Sequence, residues 1–287
     1  MQYAYNIAYT NIIKNKERII DTDDVVGEKF KLGRKIGKGA FCEVYAGVIL
    51  ESGEEVAIKL EPVTTEHPQL YHESEIYKRL QGGVGIPSLK WFGVERGHNI
   101  MVIDLLGPNL QELLHRCGGK FSLKTVLMLA DQLIEAVEFM HDKGVVHRDI
   151  KTENLLMGVG SNVCQVYLTD FGLANVVLDP ETDEHIEYRI KKLEQGRRND
   201  MESLAYVLVY FLKGSLPWQG LSAGSNEEEI NGDVMRKKFA IKPEELCESC
   251  PPEFAVWITS CQCYVFDYEY DWAHPPNDEL HQVGNIS

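Results

Sequence analysis

The chain has 287 residues, of which 44% are hydrophobic and 25% are charged, so it can bury a substantial core and is neither disordered nor fibrous in composition. Its formal net charge of −15 argues against nucleic acid and anionic membranes as partners, because both need a basic protein surface. No apolar run is long enough to span a membrane, and residues 1–20 lack the unbroken apolar core of a secretory signal.

The seven cysteines are an odd number in a chain with no predicted export signal. This favours reduced thiols and an intracellular location, cytoplasmic or nuclear. Cys247, Cys250, Cys261 and Cys263 form a C-x2-C-x10-C-x-C pattern that is compatible with zinc. The second pair is tighter than usual zinc-site spacing and no histidine lies inside the cluster, so we favour ordinary thiols and keep zinc as the alternative.

Residues 1–27 are predicted to be a polar and aromatic extension, and residues 28–106 a β-rich lobe with one helix. Short β-type segments alternate with turns in this lobe: KFKLGRKIG, EVYAGVIL, EEVAIKLE and NIMVIDLL. The helical segment has four apolar residues on one face, Leu70, Ile76, Tyr77 and Leu80, and Gly82 is a stop signal. This pattern predicts a mostly antiparallel sheet.

Residues 107–272 are predicted to be mainly helical, and residues 273–287 to be a tail. A long helix is expected between Ser122 as its cap and Gly144 as its stop. Its apolar stripe is wide and predicts extensive burial of Val126, Leu127, Leu129, Leu133, Ile134 and Val137. The segment 201–214 is apolar on nearly every side and predicts a central core helix. The expected fold class is α+β.

The first chemical motif is IGKGAFCEV, in which Gly37 and Gly39 lie between β-type segments. Glycines at such a turn let backbone N–H groups approach phosphate oxygens, although a simple hairpin turn has the same pattern. In the next strand, Lys59 lies within VAIK. A buried lysine needs an anionic partner, and Glu73 in the following helix can supply it. A lysine that reaches solvent is the alternative.

The second motif is VVHRDIKTENLLM, which places Asp149, Lys151 and Asn154 in one short loop. A carboxylate that accepts a hydroxyl proton, a lysine that neutralises phosphate charge and an amide that binds a metal are the groups that phosphoryl transfer needs. VYLTDFGLA then ends a strand at Asp170, whose carboxylate can bind Mg²⁺ beside Asn154.

With these motifs in this order, the chain resembles the eukaryotic protein kinases, and more narrowly the casein kinase 1 family. The narrower resemblance lies in the stretches HPQLYHESEIYKRLQGGVGIPSLKWFG, LLGPNLQELL, KFSLKTVLMLADQLIEAVEFMH, GSLPWQGL and RRNDMESLAYVLVYF. It implies a two-lobed kinase fold with ATP between the lobes, Mg²⁺ as cofactor, and protein substrates phosphorylated on Ser or Thr, in an acidic context or beside existing phosphates.

The resemblance also implies residue roles. ATP would be bound by Ile36, Gly37, Lys38, Gly39, Val44, Ala57, Lys59, Glu73, Ile103, Asp104 and Leu106. Asp149 would be the catalytic base and Lys151 would contact the γ-phosphate. Asn154 and Asp170 would bind Mg²⁺, and Asp200 would brace the catalytic loop.

Three smaller departures from the family pattern concern two single positions and one short loop. Cys42 stands where the third loop glycine is expected, which predicts weaker but not abolished nucleotide binding. Thr152 stands in place of a proline and leaves the chemical groups unchanged. The loop after LPWQGL is basic in the family and acidic here at 227–229, which puts a preference for pre-phosphorylated substrates in doubt, although a solvated loop is the simpler interpretation.

Two larger departures are gaps. In the family, a threonine-rich turn and an R-Y-A-S-I-N run follow the HI-YR motif and line the acceptor hydroxyl. Here HIEYR at 185–189 leads through IKKL into EQGRRND, so that segment is short by roughly fifteen residues. A second gap, of about thirty residues, falls between Cys263 and Phe266. An ATP-binding pseudokinase that acts as a scaffold and an inactive splice or gene-model variant are therefore the alternatives to an active kinase.

Overall fold

The computed structural model describes residues 24–39, 42–177, 196–220 and 227–263. Its first lobe is a six-stranded sheet in the order β1-β2-β3-β4-β6-β5, in which every neighbouring pair is antiparallel. The strands are β1 (Val25–Val26), β2 (Phe30–Lys38), β3 (Glu43–Ile49), β4 (Glu55–Pro62), β5 (Leu89–Glu95) and β6 (His98–Asp104). The predicted antiparallel sheet is confirmed. β1 comes from the last residues of the predicted extension.

Alternate side chains of strand β4 point to opposite faces of this sheet. Val56, Ile58 and Leu60 are buried in the core of the first lobe, together with Ile100 and Val102 of β6. Successive side chains on a strand point to opposite faces, so Ala57, Lys59 and Glu61 lie on the other face. That face contacts helix α1 (Leu70–Arg79), whose four predicted apolar residues are all buried.

The second lobe is mainly helical. Its helices are α2 (Leu110–Arg116), α3 (Leu123–Asp142), α4 (Arg197–Lys213), α5 (Glu227–Ala240), α6 (Pro243–Leu246) and α7 (Pro252–Cys263). Two small ribbons lie among them, one of β7 (Val145–Val146) with β10 (Asn175–Val176) and one of β8 (Leu155–Met157) with β9 (Val166–Leu168). The α+β organisation predicted from the sequence is confirmed.

Helix α3 begins and ends as predicted. The hydroxyl of Ser122 accepts a hydrogen bond from the backbone N–H of Thr125 at 3.2 Å, and Gly144 follows the helix with a φ of 68°. The predicted burial was too wide, however, because Leu127 is 51% and Ile134 is 37% exposed. α3 packs against α4, β7 and β9, and of the six apolar residues predicted to be buried only four are, namely Val126, Leu129, Leu133 and Val137.

Helix α4 is the centre of the second lobe, as predicted. Its residues Leu204 to Val209 are all buried, and so is Phe211. The core around α4 continues into the first lobe through Tyr77 of α1 and Met101 of β6. The predicted gap after 185–189 and the one after Cys263 lie outside the described residues. Within the described ranges, no helix is both long enough and apolar enough to cross a membrane.

Candidate active site

The central contact of the site is an ion pair between the two elements that face each other in the first lobe. Lys59 Nζ lies 2.7 Å from Glu73 Oε2 and 3.2 Å from Asp170 Oδ1, and Glu73 is only 2% exposed. Burial disfavours the ammonium charge, but the two carboxylates outweigh it and raise the pKa of Lys59 above its usual value. Lys59 is therefore a fixed positive charge, and the partner predicted for it is present.

The same lysine influences Asp170. Burial alone would raise the pKa of the Asp170 carboxyl, but the charge of Lys59 and its hydrogen bond hold that pKa below the usual value. Asp170 is thus an ionised carboxylate at neutral pH. Its backbone has a φ of 66°, in the left-handed region, at the start of the turn Phe171–Leu173.

The glycine-containing loop connects β2 and β3 above this pair. The N–H of Gly39 donates to the carbonyl of Cys42 at 2.8 Å. A Cβ at Gly37 would meet only Val44 at an ordinary contact distance of 3.6 Å, so the protein itself does not require glycine there. Space for an approaching ligand does explain it. The Cys42 thiol is half-buried near Lys59, and burial raises its pKa.

Three of the predicted ATP-binding residues, Val44, Ala57 and Ile103, lie on paired strands. Ala57 of β4 lies opposite Ile103 of β6, and Val44 of β3 lies opposite Lys59. Ala57 is buried, whereas Ile103 and Val44 are half-buried. These side chains form an apolar surface adjacent to the lysine. At the rim of the loop, Ile36 is 41% exposed and Lys38 is also exposed.

The connection between the lobes follows β6. The Asp104 carboxylate accepts a hydrogen bond from the N–H of Ser88 at 2.7 Å and pairs with Lys90 at 2.9 Å. Its side chain is therefore engaged within the first lobe, and a contact of Asp104 with a nucleotide would come from its backbone. Leu106 is half-buried, just before Gly107, whose N–H donates to the Met157 carbonyl at 2.7 Å.

The catalytic-loop residues are brought together as the sequence predicts. Asp149 Oδ2 lies 2.6 Å from Lys151 Nζ and accepts a hydrogen bond from Asn154 Nδ2 at 3.1 Å. The same Nδ2 donates to the Asp149 carbonyl at 2.9 Å. Burial opposes the charge on Lys151, but the hydrogen bond to Asp149 raises its pKa, so this lysine stays protonated.

Asp200 anchors the backbone of this loop. Its carboxylate is 1% exposed and accepts hydrogen bonds from the backbone N–H groups of His147 and Arg148, each at 2.8 Å. His141 Nε2 lies 2.9 Å from it. Arg148 has a φ of 70°, a strained conformation for a non-glycine residue. These two charge-assisted bonds, to the strained residue and to the one before it, fix the backbone that leads into Asp149.

His147 is a functional contact that the sequence motif did not explain. Burial lowers its pKa, so the ring is neutral. Its Nε2–H donates to the Thr169 carbonyl at 3.0 Å and its Nδ1 accepts from the N–H of Asp149 at 3.3 Å. Phe171 packs between this ring and Tyr77, at centroid distances of 5.1 and 4.9 Å. The catalytic loop, Asp170 and α1 are thereby joined in one core.

The donor set of the site fits Mg²⁺. The Asn154 Nδ2 is engaged with Asp149, which leaves the amide oxygen as the ligand atom, and Asp170 supplies an ionised carboxylate. Hard oxygen donors of this kind, completed by phosphate oxygens and water, suit Mg²⁺. In the part of the chain that the structure describes, no group of three or more His, Cys, Asp or Glu side chains is placed to hold a metal ion.

A chain of side-chain hydrogen bonds anchors the other side of the catalytic loop. The Thr152 hydroxyl lies 2.9 Å from Gln111 Oε1 and 3.0 Å from Glu153 Oε2. Gln111 Nε2 donates to the Tyr210 hydroxyl at 3.2 Å. This chain joins the loop to α2 and α4. A proline at 152, as in the resembled family, has no hydroxyl for the first bond.

Beside this chain lies a cavity of about 370 Å³. It is lined by the loop residues 150–153, by Tyr206 and Tyr210 of α4, and by Trp218 and Lys238. The Lys238 ammonium lies 5.1 Å from the Tyr206 ring centroid and 5.4 Å from that of Trp218, and burial lowers its pKa. The cavity is therefore polar, aromatic and next to the catalytic loop.

A family model described as the protein kinase domain matches residues 30–264. The match covers most of the chain, so the protein belongs to the protein kinase family and its two-lobed kinase fold is confirmed. A kinase domain supports an ATP-binding transferase that acts on protein substrates.

Proposed function

We propose that this protein is an ATP- and Mg²⁺-dependent Ser/Thr protein kinase of the casein kinase 1 type. The observation that carries the proposal is the bridging position of Lys59, whose ammonium contacts both Glu73 and Asp170. Phosphoryl transfer depends on positioning and on neutralising phosphate charge, and both need this lysine and this aspartate aligned across the cleft.

The catalytic loop supports the transfer step. Asp149 is the proposed base for the acceptor hydroxyl, and Lys151, two residues away, is the proposed cation for the transferred phosphoryl group. The bond from Asn154 to Asp149 orients the carboxylate. Mg²⁺ bound through Asn154 and Asp170 would neutralise charge that develops on the β- and γ-phosphates. The narrower subfamily rests on the sequence stretches that resemble casein kinase 1.

The acceptor chain is proposed to lie over the cavity beside residues 150–153. The cavity begins one residue after Asp149, and it is walled by polar and aromatic groups. A serine or threonine presented there would lie close to the proposed base, Asp149. We also propose that the acceptor segment is acidic and belongs to an intracellular protein, because two lysines, Lys151 and Lys238, line this cavity against a single carboxylate, Glu153.

The second candidate is an ATP-binding pseudokinase that acts as a scaffold. The observation that favours it is the short segment between Asp170 and Asp200, which leaves little chain to orient an acceptor hydroxyl. Catalysis needs the acceptor as well as ATP to be oriented. An inactive product of altered splicing or of a faulty gene model is the third candidate, and sequencing the transcript across residues 189–195 and 263–266 tests it.

The test is transfer of label from γ-labelled MgATP to three peptides: one with a serine preceded by acidic residues, one with phosphoserine in those upstream positions, and one with tyrosine as its only acceptor. The proposal predicts label on serine and none with Asp149→Asn. Label on tyrosine would contradict Ser/Thr specificity. Absence of label from every peptide, combined with MgATP binding that Asp170→Asn abolishes, would establish the pseudokinase instead.

A further inference from the structure

A second acidic residue lies on the same face of β4 as Lys59. Glu61 is two residues further along the strand and is only 2% exposed. Two residues is the period of a strand, so both side chains point toward α1. Glu61 lies outside the motifs that carry the nucleotide-binding and catalytic residues.

The Glu61 carboxylate is held by backbone and amide donors. Its Oε1 accepts from the N–H of Gln69 at 2.7 Å and from the N–H of Leu70 at 3.2 Å, and its Oε2 accepts from Asn99 Nδ2 at 2.9 Å. Among the described residues, Glu61 takes part in no ion pair. Its charge is compensated by these donors and by the positive end of the α1 dipole.

Glu61 therefore caps a helix to which it does not belong. Gln69 is the N-cap residue of α1, and its own side chain makes no capping bond. Helices leave their first N–H groups without intrahelical partners, and a side-chain oxygen normally satisfies one or more of them. For α1 that oxygen comes from the neighbouring strand, so the cap also fixes where the helix begins relative to β4.

A short chain of bonds connects this cap to the catalytic ion pair. The N–H of Gln69 is held by Glu61, while the carbonyl of Gln69 accepts from the N–H of Glu73 at 2.9 Å. Glu73 lies one helical turn further and pairs with Lys59, which is on the strand that carries Glu61. The strand thus holds the same helix at two points, and the first sets the position of the second.

We propose that Glu61 is a positioning residue that holds α1 so that Glu73 reaches Lys59, and that it thereby controls the affinity for MgATP. Asn99 supports this role. It is fully buried, and its Oδ1 has no hydrogen-bond partner within the described residues, while its Nδ2 is directed at Glu61. The effect on nucleotide affinity rests on the proposed function. The effect on α1 does not.

The test is a double-mutant cycle with Glu61→Gln and Glu73→Gln, read out as the dissociation constant for MgATP. Glu61→Gln keeps the shape but removes the charge, so we expect MgATP affinity to fall about tenfold, the equivalent of one strong capping interaction. In the Glu73→Gln background the same change should alter affinity less than about twofold, because the contact through which it acts is already gone. Glu66→Gln, at an exposed site in the same β4–α1 connection, is the matched control.

A purely structural role gives a different result. Glu61→Gln would then lower the melting temperature with the wild-type MgATP affinity unchanged, or would weaken binding fully in the Glu73→Gln background, and either outcome would overturn the proposal. If Glu61→Gln fails to fold, Glu61→Asp enters the same cycle, since it keeps the charge but shortens the reach to the N–H groups of Gln69 and Leu70.

Hydrogen exchange on the nucleotide-free protein separates this proposal from the proposed function. Glu61→Gln should speed exchange of the amides from Gln69 to Glu73 relative to Glu66→Gln. If the wild-type chain bound no MgATP, the proposed function would fail while the exchange result would still decide the role of Glu61. Unchanged exchange in these amides would overturn the proposed role of Glu61.

Discussion

The two sides of the catalytic loop are built from different interactions. On the nucleotide side, charges meet in pairs: the half-buried Lys59 contacts both the buried Glu73 and the more exposed Asp170. On the acceptor side, mostly neutral hydrogen bonds run from Thr152 through Gln111 beside a cavity, and the cation of Lys238 lies over aromatic rings. The nucleotide side is assembled before any ligand arrives, whereas the acceptor side keeps open space.

This difference implies that substitutions should separate binding from transfer. Charged groups that satisfy one another inside the protein cannot be changed singly without leaving an uncompensated charge. Neutral hydrogen bonds and cation–π contacts contribute less, and their loss should change acceptor handling more than MgATP binding.

The largest effect is expected for Asp149→Asn. Loss of a positioned general base typically costs about 10³-fold in rate, so kcat should fall by that order. MgATP affinity should stay within about twofold, because the Lys59–Glu73 pair does not involve this residue. Steady-state transfer and a direct binding titration measure the two quantities. Equal losses in both would show that the nucleotide and acceptor sides are not separable.

Lys59→Met should have the opposite effect and act on binding. The affinity for MgATP should fall about a hundredfold, because the substitution removes a charge-assisted contact to phosphate. It also leaves Glu73 buried without its cation, which should destabilise the fold by about 3 kcal/mol at neutral pH. Thermal unfolding measures this loss. Lys78→Met, on the exposed face of α1, is the control and should change neither quantity.

The destabilisation by Lys59→Met should depend on pH. Burial raises the pKa of Glu73, and Lys59 opposes that rise, so without Lys59 the folded-state pKa lies further above the unfolded one. A carboxyl with a raised folded pKa contributes its stability at low pH and loses it as pH rises through that pKa. The gap in melting temperature between wild type and Lys59→Met should therefore narrow from pH 8 to pH 5. A gap that widens on acidification would contradict the account.

Thr152→Val should have an intermediate effect. It removes the buried hydroxyl that bonds to Gln111 and Glu153, and it leaves the Oε1 of the half-buried Gln111 without this donor, a loss of about 1 kcal/mol or fivefold in kcat. Thr152→Ser retains the hydroxyl and should stay within about twofold of wild type. Transfer measured at saturating MgATP tests the pair of variants. Equal activity of the valine and serine variants would show that this hydrogen-bond chain does not contribute to transfer.

The sequence predicted the elements whose cause is local. Ser122 was identifiable as a cap because the capping bond lies within three residues, and Lys59 was identifiable because a charge in an apolar strand requires a partner. The burial of Leu127 and Ile134 was overestimated because periodicity identifies an apolar face but not how much of it a neighbouring element covers. Strand β5 was not identified.

The site residues that the sequence missed act through distant partners. The cap from Glu61 joins β4 to a backbone N–H eight residues away and to Asn99, thirty-eight residues away. The Thr152–Gln111 bond spans forty-one residues. The spacing of residues in the sequence does not predict such contacts, because they depend on how α1 and α2 pack in the folded protein. A buried glutamate beside the lysine in IKLE was the one available signal, because an acidic residue in an apolar strand also requires partners.

The smallest effect is expected for Lys238→Met. Its ammonium lies over Tyr206 and Trp218 at the cavity wall, where a partly exposed charge contributes modestly, so KM for an acidic acceptor peptide should rise about threefold. MgATP affinity should not change. Lys237→Met, exposed on the same helix, is the matched control. An equal effect of both variants would indicate general surface charge instead of the cavity.

The most direct test of the account is a titration of MgATP into the wild-type protein and into Asp170→Asn, with Asp149→Asn measured alongside. All the residues that we assign to nucleotide binding lie within the described part of the chain. We therefore predict saturable MgATP binding by the wild type and by Asp149→Asn, and its loss in Asp170→Asn. Absence of MgATP binding by the wild type, or equal binding by all three proteins, would contradict it.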